Sequence, residues 1–150
     1  MLRLKQGAAA IAIEDLRRAR ELDPTRYEAH AELAQAYYQL GKQRDALEQW
    51  KLALAQDDAN PTWLFRYGRS LHRQRDYTQA ATQLVRAIEL TKDRDPLPAW
   101  FGQAHYLAAH SLGNHPSATA HWKQFLEHGA EDSPYRKEAE RALQRAGEAP

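Results

Sequence analysis

Small and large apolar residues recur along this chain with a period of 34 residues. In each unit two alanines stand seven residues apart, with a larger side chain between them. Spacings of three and four place residues on one face of a helix, and a fixed period of this length is typical of stacked helical hairpins. The pattern therefore predicts an all-α chain of seven helices without a sheet. The recurring residues are Ala12, Leu16 and Ala19, then Ala46, Trp50 and Ala53, then Ala80, Leu84 and Ala87.

Two of these units carry a fuller motif, in which a large and a small residue precede the alanines. A residue no larger than alanine lets two helices cross closely, and bulkier neighbours fill the space on either side. These positions resemble the tetratricopeptide repeat (TPR) family, whose pattern is W-x2-L-G-x2-Y followed by A-x3-F and P. The residues that carry the resemblance are His30, Leu33, Ala34 and Tyr37 in one unit and Leu64, Tyr67, Gly68 and Leu71 in the next.

The resemblance covers residues 7–92 and implies a right-handed superhelical solenoid of antiparallel helix hairpins, with three TPR-like repeats and a C-terminal capping helix. Asn60-Pro61 and Ser133-Pro134 are helix start signals, because Asn and Ser are good N-caps and proline suits the first turn. We expect a single domain over residues 1–150. Its parts are a partial repeat (1–25), two repeats (26–60 and 61–94), an irregular repeat (95–130) and the capping helix (133–147).

Both ends of the repeat array depart from the regular pattern. Gly7 lies one period before the predicted turn at Gly41, so residues 1–6 are expected to be only the tail of a preceding helix. Because a repeat array seldom begins in mid-hairpin, we expect a bacterial-type fragment of a longer protein; the alternative is a native solenoid with one unpaired opening helix. Downstream, Ala80 and Ala118 are 38 residues apart. This spacing predicts an extended second helix and a kinked connection. The rotation of the next helix stays open, because Leu107-Ala108 stands five residues before its Leu-Gly pair, whereas Leu33-Ala34 stands seven before.

Composition excludes several classes of protein. The 150 residues include 21 basic and 20 acidic side chains and no cysteine. A net charge of +1 argues against a general nucleic-acid or membrane-surface binder. The lack of cysteine removes disulfides, thiolate nucleophiles and cysteine metal sites. No apolar run reaches the ~20 residues that span a bilayer, and no signal peptide is visible. The compartment stays open, with the cytoplasm favoured over the periplasm.

The ionisable residues form no enzyme motif. His105, His110 and His115 follow at steps of five, which turn successive side chains about 140° apart around a helix. No paired metal-binding His motif, Gly-x-Ser-x-Gly elbow or glycine-rich phosphate loop occurs. We therefore expect no enzyme, no cofactor and no metal, and histidines that pack or face solvent.

One predicted helix has a local excess of positive charge. From Pro61 to Arg75 there are four arginines, one histidine and no acidic residue, whereas residues 26–60 hold six acidic and four basic residues. The family resemblance implies that the first helix of each repeat lines a concave groove, with groove-facing residues at steps of three and four. Carried over to this chain, the peptide-binding residues would be Gln35, Tyr38, Phe65, Arg66, Arg69, His72, Arg73, Trp100, Gln103 and His110.

These residue types favour an anionic ligand. Arginine presents a planar fork of donors that matches a carboxylate, and an apolar Phe65 exposed in the groove would need a partner. We thus expect a non-catalytic protein-interaction module that binds an acidic or carboxylate-bearing peptide segment, without nucleic acid or membrane insertion. The TPR subset that grips a free C-terminus with lysines and asparagines is disfavoured, because the matching positions hold Ala31, Gln35 and Arg66.

Several other functions remain open. The basic face could be merely solvated, with an empty groove on a structural spacer or an oligomerisation domain that forms a homo-oligomer. The chain could be an assembly-factor domain like those of bacterial cytochrome maturation, which also combine short repeat arrays with a Trp-containing second helix, like Trp122 here, and a closing helix. It could also present substrates to an enzyme that lies outside these residues.

Overall fold

The chain is helical along the part that the structure describes. The computed structural model describes residues 2–23 and 25–147, with side chains from Gly7 onward. The predicted total of seven helices was wrong by one. The described residues form an opening helix, three hairpins of two helices each and a closing helix, which makes eight. Over the described residues there is no strand, and the eight helices are α1 (Leu2–Leu22), α2 (Tyr27–Gln39), α3 (Gln43–Leu54), α4 (Pro61–Arg73), α5 (Tyr77–Glu89), α6 (Phe101–Leu112), α7 (Ala118–His128) and α8 (Arg136–Arg145).

The helices stack in chain order. Each helix packs on the next, and α2–α3, α4–α5 and α6–α7 form the three hairpins. Beyond these sequential pairs, α4 contacts both α2 and α6, which are also first helices of hairpins. The first helices therefore line one side of the stack and the second helices the other. This arrangement is the predicted solenoid.

The 34-residue period corresponds to the helix crossings. Ala46, Ala80, Trp50 and Leu84 are all fully buried. A Cβ atom added at Gly68 would lie 2.7 Å from Cγ of Leu84, so only glycine lets α4 approach α5 this closely. Small residues thus fix where the helices cross, and the large ones between them form the core.

The opening helix is longer than predicted. α1 runs without interruption from Leu2 to Leu22, whereas a turn was expected at Gly7. Gly7 lacks the positive φ of a helix terminator, and the alanines that follow it are strong helix formers. Gly41, by contrast, has φ +74° and ends the first hairpin helix as predicted.

Two further helix boundaries differ from the prediction. α5 ends at Glu89 and is not extended; the extra residues lie in the connection, where the buried Thr91 Oγ1 donates to the Ala87 carbonyl at 2.8 Å. Asn60 is the N-cap of α4, as predicted, and its Oδ1 accepts from the Trp63 N–H. Ser133 is not the N-cap of α8, because Tyr135 holds that position; Ser133 lies in a tight turn before the helix, where its carbonyl accepts from the Arg136 N–H.

The last hairpin has a rotation that the sequence left open. A Cβ added at Gly102 would lie 2.5 Å from the His128 carbonyl oxygen, so the start of α6 touches the end of α7. One turn later the Tyr106 ring faces α7, with its centroid 5.8 Å from that of Trp122 and 5.4 Å from that of Phe125. This rotation turns His110, another turn on, toward α4.

Candidate functional site

Residues at equivalent positions of successive repeats meet on the side of the first helices. Gln35 and Arg69 are 34 residues apart, and Nη2 of Arg69 donates to Oε1 of Gln35 at 3.3 Å. His72 and His110 are 38 residues apart, which is the repeat period plus the four extra residues, and their Nε2 and Nδ1 atoms are 3.0 Å apart. Tyr38 lies one period before His72. α2, α4 and α6 thus present a row of polar side chains along one face.

Aromatic contacts hold two arginines of α4 in place. The guanidinium carbon of Arg69 lies 4.4 Å from the ring centroid of Tyr38 and 5.5 Å from that of Phe65. The guanidinium carbon of Arg73 lies 5.1 Å from the same Tyr38 ring. Such cation–π contacts, with the hydrogen bond to Gln35, order the donors before a ligand arrives.

The ordered arginines open into a groove with a volume of about 620 Å³. Arg69, Arg73 and Arg75 line it, and no Asp or Glu is among its described lining residues. None of the three has a carboxylate within ion-pair distance in the described part of the chain. Arg86 on α5, by contrast, is paired with Asp58 at 3.1 Å. The groove therefore carries positive charge that the described residues do not neutralise.

The structure brings half of the ten predicted residues to this groove. Its lining includes Tyr38, Arg69, His72, Arg73 and Gln103. These side chains come from three helices, so a single extended ligand could contact all of them.

Three more of the predicted residues lie beside the groove and do not line it. Gln35 supports Arg69 through their hydrogen bond, and His110 contacts His72. Arg66 is half-buried next to Arg69, and burial, followed by the Arg69 charge, lowers the pKa of the Arg66 guanidinium.

Of the remaining two predicted residues, Phe65 belongs to the core and Trp100 is partly buried against it. Phe65 is only 3% exposed, so the expectation that it offers free apolar surface was wrong. Trp100 covers it, with ring centroids 4.8 Å apart and planes inclined by 7°. The irregular connection before α6 folds Trp100 back over α4, which the regular repeat pattern does not encode.

Several residues around the His72–His110 contact were not predicted. The Tyr77 ring packs edge-on against both imidazoles, at 5.4 and 5.6 Å. The Tyr106 hydroxyl donates to Oε2 of Glu138 at 3.4 Å, and the Glu138 Oε1 atom is 4.0 Å from Nε2 of His110. Burial, followed by the nearby His110, lowers the pKa of His72. Burial, followed by the Glu138 charge, raises the pKa of Tyr106. Tyr77 and Glu138 lie outside the first helices of the repeats, so the family pattern gave no signal for them.

The described histidines do not form a metal site. Among residues 2–23 and 25–147 no three His, Asp or Glu side chains come together in a way that could hold a metal ion. His105 is 5% exposed, packs its ring against Phe101, and has its Nδ1 atom 2.9 Å from Nδ1 of His121. Burial, followed by the charges of His121 and His128, lowers the pKa of His105 to about 3. None of the helices in the described part is long and apolar enough to cross a membrane.

Two family models match segments of the chain. Residues 32–97 match the tetratricopeptide repeat model, and residues 1–62 match the bacterial transcriptional activator domain model. The first match covers the hairpins that supply Gln35, Arg69 and Arg73.

Known proteins with similar sequences or structures agree with the first match. The type IV pilus assembly protein PilF of Pseudomonas aeruginosa is 35% identical over 88 residues, which are 59% of this chain and 35% of that protein. The chain thus spans about a third of the length of this curated relative. A solved structure of Pseudomonas aeruginosa PilF has a TM-score of 0.75 and 25% identity, covering 96% of this chain and 64% of that one. The crystal structure of MamA has a TM-score of 0.79 at 19% identity, covering 94% and 80%; that likeness shows the fold alone.

Proposed function

We propose that this chain, whose residues 32–97 match the tetratricopeptide repeat model, is a non-catalytic interaction module that binds an acidic or carboxylate-bearing segment of a protein partner in its groove. The fold supports the general role of a protein-interaction scaffold. The acidic character of the ligand is the specific part of the proposal.

One observation carries that specific part. Arg69, Arg73 and Arg75 converge on one groove that has no acidic residue among its described lining. Arginine guanidinium groups bind carboxylates with paired hydrogen bonds, and a charge that lacks an internal partner is available to an external one. Tyr38 and Gln35 already order two of these groups, so a ligand loses less free energy in arranging them.

The proposal also assigns different tasks to the three arginines. Arg69 is half-buried, stacked and hydrogen-bonded, so its replacement would disturb packing between α2 and α4. Arg73 and Arg75 are exposed and have no hydrogen bond or ion pair among the described residues. Arg75 also has φ +64°, a conformation that glycine adopts without strain. Arg73→Glu with Arg75→Gly therefore alters the groove charge while sparing the fold.

Selection from a random peptide library tests the proposal. Displayed peptides of about twelve residues, which span ~40 Å when extended, are enriched on the wild-type chain. We expect the enriched peptides to be acidic, and their affinity to fall steeply when ionic strength rises from ~0.05 M to ~0.5 M, since exposed charge contacts are screened. Arg73→Glu/Arg75→Gly should weaken binding by about tenfold or more, which corresponds to about 1.4 kcal/mol.

A matched control changes the same net charge elsewhere. Arg44 and Lys51 are exposed on α3 and do not line the groove. Arg44→Glu with Lys51→Ala should therefore leave the affinity unchanged. Neutral or basic enriched peptides, or equal weakening by both double variants, would contradict the proposed site.

A second candidate function is assembly of a larger complex. We propose it because the curated relative with 35% identity is a type IV pilus assembly protein. In this case the acidic segment belongs to a subunit that the module holds during assembly. Affinity purification from the native host with wild type and Arg73→Glu/Arg75→Gly tests it: we expect subunits of one multi-subunit complex with the wild type and their loss with the variant. Recovery of unrelated proteins would count against an assembly role.

A further inference from the structure

The groove has a second end with a different chemical character. At the junction of α6, α7 and the turn before α8, its lining holds no arginine and changes to aromatic and aliphatic groups, with Gln103, His128 and Ser133 beside them. We call this end the aromatic recess, formed by Gly102, Tyr106, Leu107, Phe125, Gly129 and Tyr135.

The recess has a rigid floor. Leu107 and Phe125 are 6% and 3% exposed, so they are held by the core and leave only an edge toward the groove. Gly102 and Gly129 are in backbone contact, because a Cβ at Gly102 would lie 2.7 Å from Cα of Gly129. A larger residue at Gly102 would push α6 away from the end of α7, and a Cβ at Gly129 would lie 2.5 Å from Cε2 of Phe125.

The wall of the recess is a partly uncovered aromatic pair. Tyr135 stacks on Tyr106, with ring centroids 4.4 Å apart and planes inclined by 24°. Tyr135 is nevertheless 47% exposed. Of the large apolar side chains described as exposed, Tyr135 is the one that lines the groove. An aromatic ring with one face covered and the other face open can stack with a ligand side chain.

The two ends belong to one cavity and lie close enough for one short segment. Packed helices are about 8–10 Å apart, and the recess is one to two helix spacings from the arginines of α4. This separation is about 10–20 Å, or about three to six residues of extended chain. The Tyr106 hydroxyl is already bonded to Glu138, so Tyr106 presents its ring to the recess rather than a free hydroxyl.

We propose, building on the proposed function, that the ligand is a linear segment in which an acidic residue lies about three to six positions from an aromatic or large aliphatic residue. The carboxylate binds at Arg73 and Arg75, and the apolar side chain enters the aromatic recess. The absence of acidic residues from the described groove lining favours the carboxylate of this ligand. The exposed Tyr135 face favours the added apolar side chain over a purely acidic ligand.

The peptides enriched from the random library provide the test. Their sequences should share an aromatic or large aliphatic residue at this spacing from an acidic one. Replacing that residue by alanine in a synthetic peptide should weaken binding by about tenfold, in keeping with burial of one large side chain. Tyr135→Ala in the protein should cause a similar loss, and Tyr135→Phe, which keeps the ring, should not.

Combining the alanine replacement in the peptide with Tyr135→Ala in the protein separates a direct contact from an indirect effect on folding. If the peptide side chain lies against Tyr135, its replacement by alanine should matter on wild type and have little further effect on Tyr135→Ala. Leu52→Ala removes an exposed apolar side chain from α3, outside the groove, and should leave the affinity for the peptide unchanged.

The outcomes distinguish the two proposals. Acidic peptides without a shared apolar residue, or binding that is indifferent to Tyr135→Ala, would overturn the recess proposal and leave the acidic-segment function standing. Independent, additive losses from the peptide and protein changes would also overturn it. A library that yields no enriched peptide would overturn both.

Discussion

Acidification should destabilise this fold through the buried His105. Its ring is 5% exposed, lies between Phe101 and His121, and leaves Nε2 buried without a described hydrogen-bond partner. A proton on this ring would place a charge where neither water nor a carboxylate can stabilise it. Burial accordingly lowers the pKa of His105 to about 3 from its ordinary value of 6.5.

The direction of the pH effect follows from which state binds more protons. Below pH 6.5 the unfolded chain protonates His105 while the folded chain does not, so stability is complete above pH 6.5 and falls as the pH drops toward 3. One group of this kind costs at most about 1.4 kcal/mol per pH unit. Between pH 6.5 and pH 5 the loss due to His105 should therefore be about 1–2 kcal/mol, a large fraction of a marginal stability.

Chemical denaturation followed by circular dichroism at a series of pH values measures this loss. His105→Phe removes the titrating group and retains an aromatic ring, so the free energy of unfolding should depend less steeply on pH. The slope should not vanish, because burial also lowers the pKa values of His72 and His121. His115→Gln, at an exposed position, is the matched control and should behave as wild type. Parallel curves for wild type and His105→Phe would refute the assignment.

Three further predictions concern stability. Arg75→Gly should raise the free energy of unfolding by about 0.5–1 kcal/mol, because the positive φ of 64° costs a non-glycine residue about 1–2 kcal/mol and glycine returns part of this as chain entropy; an unchanged or lower melting temperature would contradict it. Gly102→Ala should destabilise by about 2 kcal/mol or more, because its Cβ would meet backbone atoms at 2.5 Å, and a fully wild-type melting curve would disprove this packing. Removing residues 133–150 takes away the fully buried Leu143 that covers Trp122. Since each large buried side chain contributes about 1.5–3 kcal/mol, the shortened chain should have a lower melting temperature and aggregate. A monodisperse product with the original melting temperature would show that α8 is not a cap.

The regular part of this fold could be predicted because its determinants are local and repeated. The small, large and small side chains of Ala46, Trp50 and Ala53 mark one helix crossing, and a small, large and small set 34 residues later marks the next. Helix ends marked by a local signal, such as Asn60 or Gly41, were also predicted correctly. At Gly7 glycine was a misleading signal, because the chain does not turn there and α1 continues through it.

The candidate site was predictable mainly where the repeat continues, although Gln103 of the irregular repeat also lines the groove. Arg69 and Arg73 face the groove because α4 follows the pattern of α2. The burial of Phe65 depends on Trp100, whose position is set by the irregular connection before α6. Tyr135 reaches the groove from a turn, through its stack on Tyr106. Contacts of this kind depend on the path of a connection between helices, and the repeat period of the sequence does not predict that path.

Backbone amide chemical shifts, recorded during titration with an enriched acidic peptide, test the central claim most directly. The first helices α2, α4 and α6 form the groove side, whereas α3 and α5, apart from Tyr77 at the start of α5, lie on the other side of the stack. Binding in the groove should shift amides of α2, α4 and α6, most strongly near Arg73, and the shifts should disappear in Arg73→Glu/Arg75→Gly. Shifts confined to α3 and α5, or shifts that persist unchanged in that variant, would show that the partner binds elsewhere.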